Sequence, residues 1–122
     1  MASFAAQAPL HDGVVVIREM PIGLIGLSKP AGLLSHPNQP SDNPRSLLTC
    51  SYSLEEECYQ WKDPGPDGAP RRAWLLNRLD SATSGVVLLA TDEALARHIR
   101  QHCRQRRRTQ CHQKSDHQSH NY

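Results

Sequence analysis

The stretch LLNRLDSATSGVVLLATDEALA, residues 75–96, decides how this chain folds. Val86 to Ala90 is a continuous apolar run that reads as a strand buried on both faces. Upstream, Trp74 to Leu79 is apolar enough for a second strand. The DSATSG segment between them reads as a turn, in which Asp80 can cap its own backbone and Gly85 can supply a positive φ. Downstream, Thr91 can cap a helix, and Asp92 and Glu93 fall in its positive first turn. That helix is expected from Asp92 to about Gln101, with Ala94, Leu95, His98 and Ile99 on one side.

Toward the N-terminus, Val14 to Ile17 and Ile22 to Leu27 read as two short strands closed by Pro30 and Gly32. In SKPAG the Pro and the Gly fall at the second and fourth places of a type I turn. A Pro- and Asn-rich bend follows over His36 to Pro44. Asn43 before Pro44 is an N-cap signal, so a helix is expected from Asn43 to about Glu57. Residues 62–72, KDPGPDGAPRR, have the composition of a flexible loop. Strands, helix, strands and helix in that order point to an α+β domain.

Composition narrows the function classes. The longest uninterrupted apolar stretch is far short of the roughly twenty residues of a membrane helix, so no membrane span is expected. The start, MASFAAQAPL, lacks a basic n-region and a long apolar core, which argues against a secretory signal and for a cytoplasmic protein. Cys50, Cys58, Cys103 and Cys111 contain no CxxC pair, which suits reduced thiols. Charge is divided along the chain. Residues 1–96 carry seven Lys/Arg against eleven Asp/Glu, net −4; residues 97–122 carry seven against one, net +6. From Arg100 onward the only apolar residues are Cys103, Cys111 and Tyr122, so a disordered basic tail over 101–122 is expected behind a domain over 1–100. Its run from Arg104 to Arg108 suits weak binding to any polyanion. A zinc site can be drawn from His98, His102, Cys103, Cys111 and His112, but the spacing fits no known finger, and no metal is expected.

SKPAGLLSHP at residues 28–37 and NRLDSATSG at residues 77–85, followed by VVLLATDEALA, resemble the first two motifs of the RluA-type RNA pseudouridine synthases. The resemblance covers roughly residues 14–100. It implies a mixed, mostly antiparallel sheet with packed helices and a cleft across its middle. It also implies an isomerisation in which the N1–C1′ bond of a uridine in ribosomal or transfer RNA breaks and the base rejoins through C5. Asp80 matches the family's essential aspartate, a carboxylate at neutral pH that can attack or deprotonate. A stacked base is out of reach, so the nucleotide must be flipped. Arg78 matches the arginine that contacts the RNA, and its planar fork suits phosphate and stacking. Thr83, with Ser84 and Gly85, is expected to hold the loop presenting Asp80. Lys29 in the SKPAG turn is a candidate phosphate contact. No cofactor is implied, and a monomer is expected.

Two departures from the family stand out. Asn77 stands where members commonly have His, a position that either shapes the loop or touches RNA. After the helix begun at Asp92, the family's K-x-Y strand, its H-Q-x-R-x-H-like segment and the basic partner of the Asp have no counterpart here. The chain therefore resembles the front part of a catalytic domain ending in unrelated sequence, as a frameshift would give, with turnover weak or absent. The alternative from another class is a non-catalytic RNA-binding remnant held to RNA by its basic tail.

Overall fold

The computed structural model describes residues 3–102. Six strands form one sheet: β1 (Val15–Glu19), β2 (Leu24–Lys29), β3 (Ser51–Ser53), β4 (Cys58–Lys62), β5 (Pro70–Leu75) and β6 (Gly85–Ala90). Their order across the sheet is β1-β2-β6-β5-β4-β3, and every neighbouring pair is antiparallel. A short helix α1 (Phe4–Gln7) precedes the sheet, a 3₁₀ helix (Pro40–Arg45) follows β2, and α2 spans residues 93–102. The α+β class expected from the sequence is the one found. Antiparallel pairing extends to the whole sheet, and among the described residues the one parallel contact is an isolated bridge between Leu34 and Ser46.

Cross-strand register explains which residues are buried. Ile25 opposes Leu89 and Leu27 opposes Val87, so these four share one face of the β2–β6 pair. That face carries the main core, with Leu75, Ala73 and Tyr59 from the strands and Phe4, Leu33, Leu47 and Leu48 from the segments laid over it. A smaller core lies under α2, made of Cys58, Trp74, Ala90 and Ala96. β6 alternates rather than burying both faces: Val86 is 51% exposed, while Val87 and Leu89 are fully buried. One face of β6 near its start is thus left to solvent.

Several elements differ from the expected ones. No α-helix forms over Asn43 to Glu57. The 3₁₀ helix takes Pro44 into its interior, the consecutive Leu47 and Leu48 are both fully buried, and the chain then enters the β3–β4 hairpin. Two adjacent buried leucines do not form a helical stripe, and three acids ending a helix would oppose its dipole. Glu57 instead makes the hairpin turn at φ 55°. Residues 62–72 are a loop only at their tip, where Asp63 N–H donates to Ala69 O at 2.8 Å; β4 and β5 extend to either side. The strand expected over Trp74 to Leu79 runs earlier, as β5, and leaves the ladder after Leu76. Gly32 takes φ 98°, so the SKPAG bend uses its glycine in the left-handed region rather than at the end of a type I turn.

α2 is capped by Asp92, whose carboxylate accepts from Leu95 N–H at 3.1 Å. Thr91 instead donates its hydroxyl to Gly23 O, tying the end of β6 to the β1–β2 turn. The buried side of α2 is Leu95, Ala96, Ile99 and Arg100, and Ala94 and His98 face solvent. The helix runs over 101 and 102, two residues into the expected tail. The rest of that tail, with Cys103, Cys111, His112 and Tyr122, lies outside the described residues. Among the described residues no helix is long and apolar enough to cross a membrane.

Candidate active site

The segment between β5 and β6 is where the backbone leaves the ladder, and its polar groups need other partners. Three side chains supply them. Asn77 accepts from Leu88 N–H at 2.7 Å and donates to Val86 O at 3.2 Å, so its amide continues the pairing with β6 where the main chain has departed. Ser35 donates its hydroxyl to Leu79 O and accepts from Leu79 N–H, both at 2.9 Å. Lys29, at the end of β2 and fully buried, donates to Thr83 O at 2.6 Å and to Ser81 O and Pro30 O at 3.2 Å each. The SKPAG turn adds a fourth contact, Gly32 N–H to Ser81 O at 2.6 Å.

Thus fixed, residues 80–83 make a β-turn closed by Thr83 N–H to Asp80 O at 2.9 Å. The turn closes through the main chain and not through the Asp80 carboxylate, which is exposed. Among the described residues that carboxylate takes part in no hydrogen bond or ion pair. It faces an open cleft of about 760 Å³ lined by Leu34, Ser35, His36, Arg78 and Thr83 among others. Gly85 seats the other end of the loop at φ 155°, and a Cβ there would lie 3.1 Å from Leu79 Cδ1.

His36, which lines the cleft, is backed by aromatic rings that lie behind it. His36 stacks on Tyr52 with ring centroids 5.0 Å apart and planes 6° from parallel, and Tyr52 meets Tyr59 edge-on at 4.8 Å. The Tyr59 hydroxyl donates to Ser35 O, which returns the chain of contacts to the residue that holds Leu79. Burial pushes both phenols well above the usual tyrosine range, so they stay protonated as donors. Arg78 lies in the cleft, exposed, with Nη1 at 3.5 Å from His36 Nε2.

These positions sort the expected site residues. Asp80 and Arg78 share one cleft, and Thr83 lines it while giving its carbonyl to Lys29. Lys29 itself is walled in, with its ammonium committed to three carbonyls rather than open to solvent. Burial lowers its pKa, and the nearby Asp80 charge opposes that shift. Asn77 has its amide turned to β6, the arrangement that shapes the loop. Ser35 and His36 were not singled out, although both lie inside SKPAGLLSHP. Their signal was the second motif: two segments that carry one site must touch. Among the described residues no three His, Cys, Asp or Glu gather as a metal site.

Comparisons with curated proteins and with solved structures gave no match. A family model described as RNA pseudouridylate synthase matches residues 23–112, which is most of the chain and contains the loop, the turn beneath it and both motifs. The match and the RluA-type motifs agree, and the chain belongs to the RNA pseudouridylate synthase family.

Proposed function

We propose that the cleft between the SKPAGLLSHP and NRLDSATSG segments isomerises a uridine of ribosomal or transfer RNA to pseudouridine in the cytosol, with Asp80 as the reacting carboxylate. The observation that carries this reading is an exposed carboxylate with no hydrogen bond or ion pair among the described residues, on a turn whose backbone is tied down by Lys29, Ser35 and Gly32. A catalytic group must be free to react yet held in place. In the reaction the N1–C1′ bond breaks, a C5–C1′ bond forms, the C5 proton is lost and N1 gains one, so atoms balance and no redox partner is needed. Asp80 acts either on the sugar or on the base.

Arg78 supports the reading from the substrate side. Its guanidinium forms no ion pair among the described residues, so its charge is available to a phosphate of the flipped nucleotide. Among the described residues the cleft holds neither a tyrosine beside Asp80 nor a second open cation, since Lys29 is consumed by the loop. Turnover is therefore slow. Incubating the protein in excess over a uridine-containing RNA and mapping pseudouridine by base-specific modification tests this. Slow product that is lost in Asp80→Asn is expected; product formed equally by Asp80→Asn removes the assignment.

A further inference from the structure

Arg78 and Asp80 are opposite charges two residues apart on one cleft, and yet they form no ion pair. Elsewhere in the described residues arginines meet carboxylates: Arg45 with Asp42 at 2.6 Å, Arg71 with Asp63 at 2.8 Å, Arg72 with Glu56 and Arg97 with Glu93 at 3.2 Å, and Arg100 with Glu57 at 3.6 Å. Arg78 is met instead by an imidazole. One tautomer of the neutral His36 ring satisfies both of its neighbours: with the proton on Nδ1, that nitrogen donates to Pro37 O at 3.1 Å and Nε2 accepts from the Arg78 guanidinium at 3.5 Å. The ring is half-buried and stacked on Tyr52, which favours this orientation.

We propose that His36 is a positioning residue that holds Arg78 away from Asp80. A neutral acceptor orients a guanidinium without cancelling its charge, whereas a carboxylate would do both. Held in this way, Arg78 keeps its charge and its remaining donors for RNA, and Asp80 keeps an open carboxylate. Without His36 the two collapse onto each other and both functions suffer. This inference rests on Arg78 being the RNA contact and goes beyond that reading by naming what keeps it available.

The test is a double-mutant cycle on binding of a uridine-containing single-stranded oligoribonucleotide to the full chain. Salt of about 0.2 M keeps contributions from screened surface charges small. His36→Phe preserves the stack and removes the acceptor; Arg78→Ala removes the guanidinium. His36→Phe should weaken binding about threefold to tenfold, the range of one hydrogen bond. The double variant should bind within about twofold of Arg78→Ala alone, the non-additivity of groups acting through each other. His36→Gln, whose amide oxygen can still accept, should recover part of the loss, and all variants should melt near the parent temperature. Additive losses, or a His36→Phe that binds like the parent while Arg78→Ala is weak, would overturn the proposal. If Arg78→Ala binds like the parent, the RNA-contact reading itself fails, and this inference with it.

Discussion

At the scale of single residues, the site depends on a buried ammonium spent on main-chain carbonyls. Lys29 is the one charged side chain among the described residues with no exposed surface, and it satisfies three acceptors that no strand partner reaches. Replacing it by Met keeps the apolar stem and takes the donor from Thr83 O and Pro30 O, while Ser81 O keeps the Gly32 N–H. The expected cost is about 1 to 3 kcal/mol, read as a lower urea midpoint, together with lost binding of the oligoribonucleotide. Gly85→Ala should act on the same loop by a different route, since the added methyl meets Leu79 Cδ1 at 3.1 Å on a backbone of positive φ.

What could be read from the sequence at this scale was the residues that face outward. Asp80 and Arg78 carry chemistry that a motif records, and the structure brings them to one cleft. Lys29 and Asn77 have the same polar side chains as a phosphate or base contact, and only the fold shows that they are turned to carbonyls and amides. Their types did not distinguish a ligand from an unpaired backbone group as the partner.

At the scale of elements, α2 is held by more than its apolar face. Arg100 donates to Leu75 O at 2.7 Å, to Glu57 O at 3.1 Å and to Glu56 O at 3.4 Å, which staples the end of the helix to the β3–β4 turn and to the end of β5. A guanidinium reaches three carbonyls on two segments; an ammonium on a flexible stem does not hold that fork. Arg100→Lys should therefore cost about 1 to 2 kcal/mol and speed hydrogen exchange at the end of β5, although charge is unchanged. The 3₁₀ helix depends on Asp42, whose carboxyl is held below the usual carboxylate range by the Arg45 side chain and by main-chain N–H groups. A depressed folded pKa gives stability that is present above the unfolded value and lost as pH falls through the folded one. The parent should lose stability on acidification below about pH 4. Asp42→Asn should lose less over the same window, measured by urea unfolding across pH.

The strands that were legible, β1, β2 and β6, have β-branched or continuous apolar runs with clear stops. β3 and β4 were hidden because their inward residues, Tyr52, Tyr59 and Trp61, are interleaved with polar ones and interrupted by the three acids at the turn. The Asn-Pro signal at residues 43–44 is local, and the pairing of Tyr52 with Tyr59 across a hairpin outweighed it.

At the scale of the whole molecule, two cores on opposite faces of one sheet share β5 and β6. Leu89 is central to the larger, and Leu89→Ala should cost about 2 to 5 kcal/mol, whereas Val86→Ala on the open face should stay within about 0.5 kcal/mol. If the sheet couples both cores, melting should be a single transition that far- and near-ultraviolet circular dichroism report together. Separate transitions would show that the chain does not fold as one unit.

Product analysis decides whether this single sheet presents one reactive carboxylate to a flipped uridine. The protein and Asp80→Asn, matched in melting temperature, are each incubated in excess over uridine-containing RNA, and pseudouridine is mapped over time. Slow accumulation at a defined uridine is expected with the parent and none with Asp80→Asn; equal accumulation with both, or none with a folded and RNA-bound parent, would overturn the proposed role of Asp80.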